Sequence, residues 1–159
     1  MEWPAVRSDS LGELVPAGRR ALGYVWAAPN TLVGLLAALT VKARPARWRG
    51  VLLLEAARGG VAWVLTKRGF AAITLGHVII TNKPVSDNLL VHELTHVGQH
   101  ERWGPGFYPA YLLTSLRGYK RNPFELAAKQ AALRIDGIGG TGVTRPGPAA
   151  GGTGPTTGT

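Results

Sequence analysis

His92-Glu93-Leu94-Thr95-His96 places two imidazoles and a carboxylate within five residues. Side chains four apart on a helix stand one above the other on the same face. His92 and His96 can therefore each turn a ring nitrogen toward one ion, at about 2.0–2.1 Å if that ion is zinc. Glu93 follows the first imidazole and leans over the rim of such a site. From there its carboxylate can take a proton from a metal-bound water and hand it to a leaving group. The chemistry implied by this H-E-x-x-H spacing is metal-assisted hydrolysis, with Glu93 as the base. The competing reading is two helix histidines, one satisfied by hydrogen bonds and one exposed.

The flanking residues suit a helix. Asp87 offers a cap to the first free N–H groups. Leu90, Leu94 and Val97 recur at i, i+4 and i+7 as a core-facing stripe, and Gly104-Pro105-Gly106 stops the helix after Trp103. A catalytic zinc needs a third protein ligand and an open position. His100 stands eight residues past His92, about 12 Å along the axis, so the three cannot share one ion. Gln99 and Arg102 occupy the places where the metzincin pattern H-E-x-x-H-x-x-G-x-x-H needs Gly and His. The candidate is Glu125, in Asn122-Pro123-Phe124-Glu125. Against it, Glu125 stands three residues after Asn122, where a capping box places a Glu that reaches back to the cap. If Glu125 is such a cap, the third ligand has to come from Glu101, Asp136 or His77.

An H-E-x-x-H followed some thirty residues later by a Glu opening a second helix resembles the gluzincin branch of the zincin metallopeptidases. Residues 72–135 are also similar to small bacterial H-E-x-x-H proteins with a following Gly-Pro, an aromatic-rich Pro-Ala-Tyr run and an Asn-Pro-Phe-Glu segment. The resemblance implies His92, His96 and Glu125 as zinc ligands, Glu93 as general base and a peptide or protein as substrate. The chain lacks thermolysin's motif around the third ligand and is too short for that enzyme's second domain.

Length and composition narrow the setting. A chain of 159 residues is one domain with a single core. With no cysteine there is neither a disulfide framework nor a thiolate site, so any zinc must sit on His and carboxylate. Eighteen Lys+Arg against nine Asp+Glu give a formal net charge of +9. Such a surface attracts anionic lipid, nucleic acid or acidic partners without sequence specificity, and no specific nucleic-acid motif accompanies it.

Residues 1–20 read as a flexible arm. Ala21–Val41 contains no charge and is long enough to span a bilayer. Basic residues flank it on both sides and give no orientation. Pro29-Asn30 is expected to break it, leaving a helix of about twelve residues with Asn30 as cap. A buried helix, a membrane-surface helix and a true anchor stay open for this segment. The compartment is read as cytoplasmic or peripherally membrane-associated, with anchoring through residues 21–41 as the further option. Lys42–Arg49 reads as a basic linker around Trp48.

Val51–Ala57 and Val61–Thr66, joined across Arg58-Gly59-Gly60, read as a hairpin. Ala71–Thr81 reads as a third strand, with His77 inside it as a structural residue. Tyr108, Tyr111 and Tyr119 are candidate donors to a developing oxyanion. Arg117–Arg121 reads as a solvated basic turn. Asn122–Ile135 forms the closing helix, with Asn122 as cap and Pro123 at its first position. Gly137–Thr159, rich in Gly, Thr and Pro, reads as a disordered tail.

The expected architecture is thus a small α+β, zincin-like domain over 21–136, with a short three-stranded sheet, an H-E-x-x-H helix and a following helix carrying the third ligand. The expected activity is zinc-dependent hydrolysis of a peptide bond. The rival is a non-catalytic basic protein on an anionic membrane surface, whose His pair is structural or merely holds metal. Oligomeric state has no signature in the sequence.

Overall fold

Alternation along the short strands decides how the layers stack. Val51, Leu53 and Ile79 turn to one side of the sheet and pack with Val85, Leu90 and Val97. Leu54, Val78 and Ile80 turn to the other and pack with Ala57, Ala62, Ala37 and Ala38. Period-two apolar positions with helices on both faces produce a three-layer core.

The computed structural model describes residues 17–116 and 118–137, with side chains described over 21–116 and 118–134. In chain order the elements are α1 (Ala17–Ala38), β1 (Pro45–Trp48), β2 (Val51–Leu54), α2 (Gly60–Arg68), β3 (Ala72–Leu75), β4 (Val78–Thr81), α3 (Asp87–Trp103), α4 (Phe107–Ser115) and α5 (Pro123–Gly137). Short 3-10 turns at Gly104–Gly106 and Tyr119–Arg121 join α3 to α4 and α4 to α5. The fold is α+β, with a four-stranded mixed sheet in the order β1-β2-β4-β3. β1 and β2 are antiparallel, β2 and β4 parallel, and β3 and β4 antiparallel.

Four strands replace the expected three, through three local differences. The first hairpin is β1–β2 around Arg49-Gly50, so Pro45–Trp48 is a strand and not a linker. Val61–Thr66 lies inside helix α2, with Ala62 and Leu65 buried three apart and Lys67 and Arg68 in the last turn. Ala71–Thr81 is two strands, because Gly76 adopts φ +62 and turns the chain. A Cβ at Gly76 would also collide with Thr31 of α1.

Helix α1 runs unbroken through Pro29. Proline removes one intrahelical bond, but tertiary contacts hold the next residue. Asn30 is buried, and its Nδ2 reaches the Gly104 carbonyl at 2.7 Å and His100 Nδ1 at 2.9 Å. Asn30 is therefore an internal tie and not a cap. At Gly34 the helix comes so close to the sheet that a Cβ would collide with the Leu75 carbonyl and Val78. Ala17–Arg20, read as part of the arm, are helical. The remainder of the arm, Arg117 and the tail from residue 138 lie outside the described residues.

Ser86 caps α3, its Oγ accepting from the Leu89 N–H at 3.3 Å. Asp87 is the first helical residue and not the cap; there its charge complements the positive end of the helix dipole. Asn122 does cap α5, its Oδ1 accepting from the Phe124 N–H at 2.9 Å. Helices α3 and α5 make the most extensive contact of any two elements. Trp103, Phe107 and Phe124 lock α3, α4 and α5 together through edge-on ring contacts.

Candidate metal centre

His92 and His96 lie on consecutive turns of α3, facing the first turn of α5. Their Nε2 atoms are 3.2 Å apart. Glu125 Oε1 is 3.4 Å from His96 Nε2, and Oε2 is 3.6 Å from His92 Nε2. Two ligands each about 2.0–2.1 Å from one ion, at a tetrahedral angle, stand about 3.3–3.4 Å from one another. The three donors are thus spaced like the edges of a coordination polyhedron, and the group can bind a metal ion.

The capping-box role for Glu125 does not occur. The Asn122 N–H, which such a Glu would receive, donates instead to the Tyr119 carbonyl at 3.2 Å. Glu125 is buried and turns inward. Tyr111 donates its hydroxyl to Oε1 at 2.7 Å, while Oε2 is buried with no hydrogen-bond partner among the described residues. A buried carboxylate oxygen without a partner is costly, and a cation between Glu125 and the two imidazoles removes that cost. The donor set therefore fits a metal.

Charge around the cluster follows the same geometry. Burial pushes the Glu125 carboxyl up, but the neighbouring His96, the Tyr111 hydrogen bond and the nearby Tyr119 outweigh it and hold the group down at about 2. Burial also works against a charged His96, yet Glu125, Glu93 and Gln99 together raise it. His92 is lowered by burial and by its neighbour His96. One carboxylate held ionised thus faces two imidazole nitrogens, a position a divalent ion can take.

Glu93 is buried beside the pair, one residue along α3. Its Oε2 accepts from the Thr74 hydroxyl of β3 at 2.6 Å. Burial raises its pKa, opposed by His96 and by the Thr74 hydrogen bond. Thr74 is a site residue that carries no signal in the sequence, being one more β-branched residue in a strand.

Gln99 is a second such residue, though it stands three after His96 on α3, a spacing that does bring side chains together. Its Oε1 is 2.8 Å from His96 Nδ1, and its Nε2 donates to the Phe124 carbonyl at 3.1 Å. Nδ1–H is thereby directed at Gln99, which leaves Nε2 turned to the metal position.

The other candidates are engaged elsewhere. His100 is fully buried, with Nδ1 on Asn30 and Nε2 on the Thr74 carbonyl at 3.2 Å. His77 sits in the β3–β4 turn and pairs with Glu101 at 2.9 Å, so neither residue joins the cluster. Asp136 lies outside the residues whose side chains are described. Of the tyrosines, Tyr111 is committed to Glu125. Tyr108 packs on His100, its hydroxyl pushed up to about 12 by burial. A groove of about 1040 Å³ lies between α1 and β1–β2 and shares no residue with the cluster. The converging donor atoms, and not that volume, mark where a metal ion could be held.

No family model, no curated protein and no solved structure matches this chain.

Proposed function

We propose that this chain is a zinc-dependent hydrolase of amide bonds, a peptidase of gluzincin type. The observation that carries the reading is Glu125 Oε2, a buried and unpartnered carboxylate oxygen turned toward the His92–His96 pair, with Glu93 adjacent. An all-His and carboxylate donor set of three residues is the composition of catalytic zinc sites that keep a position open. Zinc bound there supplies Lewis-acid polarisation of a carbonyl and a water of lowered pKa.

The chain's own residues supply the rest. His92, His96 and Glu125 hold the ion. Glu93 accepts the proton of the attacking water at its carboxylate and returns it to the departing amine. Its raised pKa makes it a stronger base than an exposed carboxylate. Thr74 fixes the orientation of that carboxylate, and Gln99 and Tyr111 orient two of the ligands. β3 is an edge strand beside α3, where an extended substrate backbone can lie.

Two measurements on purified protein test the reading. Elemental analysis is expected to find stoichiometric zinc in the wild type and none in His96→Ala. A mixed-sequence peptide library is expected to be cleaved by the zinc-loaded wild type and left intact by Glu93→Gln. Wild-type protein that does not retain zinc, or that cleaves no better than Glu93→Gln, overturns it.

A further inference from the structure

Helix α1 is apolar on two opposite sides, and among the described residues only one of them is packed. The inner side is built from small residues. Ala27 and Asn30 are buried, and Gly34 touches the sheet. The outer side carries Leu22, Val25, Trp26, Leu32 and Leu36, continued by Leu39 in the turn just past its end, all more than half exposed. At about 100° per residue the five on the helix fall within an arc of about 140°. A helix that is hydrophobic all round is normally buried all round. Here a regular stripe of large side chains faces outward, with Val25 at 73% and Leu39 at 83% exposure.

The stripe is continuous with a basic surface. Val25 and Leu32 also line the groove between α1 and β1–β2, whose far wall holds Arg47, Trp48 and Arg49. Lys42, Arg44, Arg47 and Arg49 are exposed. From residue 14 to residue 54 the chain contains no Asp or Glu, and six Lys or Arg flank the apolar run. An apolar stripe bordered by cations is the pattern of a helix lying in the plane of an anionic bilayer surface. By length and composition Ala21–Ala38 could cross a membrane. The Asn30 bonds to His100 and Gly104 and the Gly34 contact tie its inner side to the domain, which leaves only the outer side for lipid. A second copy on this face would bring two surfaces of net charge +9 together, which repulsion opposes.

We propose that the outer face of α1, with the adjoining basic hairpin, docks this protein peripherally on anionic phospholipid. The apolar stripe enters the boundary between headgroups and acyl chains, and Arg44 and Arg47 meet lipid phosphates. The proposal does not depend on the activity of the His–Glu cluster.

Co-sedimentation of the full chain with vesicles tests it. Binding is expected to phosphatidylcholine vesicles containing phosphatidylglycerol, with little to phosphatidylcholine alone. Leu32→Gln with Leu36→Gln is expected to weaken partitioning roughly tenfold or more, since two leucines lose their lipid contact. Arg44→Gln with Arg47→Gln should weaken it too and flatten its salt dependence. Both leucines point outward, so circular dichroism should show an unchanged fold. If the leucine variant nevertheless unfolds, the arginine variant and the comparison of vesicle types decide the matter. Wild-type protein that stays in the supernatant with anionic vesicles at low salt overturns the proposal. So does sedimentation equilibrium showing a lipid-free dimer that the leucine variant dissociates, which would assign the face to a second copy.

Discussion

His96 and Gln99 share a 2.8 Å hydrogen bond at Nδ1, and the same Gln99 amide donates to the carbonyl of Phe124, the residue before Glu125. One side chain thus sets the orientation of one candidate ligand and the position of the helix turn that carries another. Gln99→Leu is expected to weaken metal binding roughly 10–100-fold, the usual cost of losing a hydrogen bond behind a histidine ligand. Gln99→Glu keeps an acceptor for Nδ1 and should bind metal more tightly than the leucine variant. Competition with a chelator of known affinity measures both. Equal affinities in wild type and Gln99→Leu would show that Gln99 does not act through His96.

Ligands and base should separate by metal content. His92→Ala and His96→Ala remove donor atoms and are expected to abolish zinc retention. Glu93→Gln removes only a proton carrier and is expected to retain zinc while losing hydrolysis. Gln can still accept from Thr74, which now bonds Glu93 Oε2 at 2.6 Å. Loss of metal from Glu93→Gln as complete as from the His variants would make Glu93 a ligand and undo the assignment.

The trio of candidate ligands was legible because helices announce their own geometry. A four-residue spacing puts His92 above His96, and Asn122-Pro123 marks the start of the helix that bears Glu125. The sheet was harder to read. Val61, Trp63 and Val64 have strand propensity and follow a Gly-Gly pair, so α2 looks like a strand until Ala62 and Leu65 are seen buried together. Propensity is a weak guide where packing decides. Pro29 misled in the opposite way, since the hydrogen bonds of Asn30 to His100 and Gly104 connect residues at least 70 apart in the chain. No local pattern shows a contact of that range. Thr74 is hidden for the same reason, its role being fixed by a helix 19 residues away.

Glu125 and Asn122 should behave differently although they are three residues apart. Glu125→Ala removes a candidate metal donor and should lose zinc, with a fall in the metal-free melting temperature as well, because the Tyr111 hydrogen bond and the pairing with His96 go with it. Asn122→Ala removes the cap bond to Phe124 and the bonds from Nδ2 to the Tyr111 carbonyl and Ser115. It should cost about 1–3 kcal/mol in the metal-free protein and affect zinc mainly through stability. Bound metal adds to apparent stability, so melting must be measured with and without it. Glu125→Ala protein that binds zinc like the wild type would remove the third ligand.

Acid should expose the cost of burying His100. The folded protein holds this histidine down at about 4, chiefly through burial and despite its bond to the Thr74 carbonyl. The unfolded chain takes up the proton near pH 6.5. A lowered folded pKa means that the unfolded state binds more protons between those values. Stability from this group is therefore complete above about pH 6.5 and falls as pH drops toward 4, by about 3 kcal/mol in all. Other groups titrate in the same range, so the informative quantity is wild type minus variant. Gln in place of His100 can accept from Asn30 and donate to the Thr74 carbonyl without taking up a proton. The metal-free His100→Gln protein is expected to lose stability less steeply than the wild type between pH 6.5 and 4, as read by urea unfolding at each pH. A difference that stays constant across that window would mean that His100 does not resist protonation in the folded state.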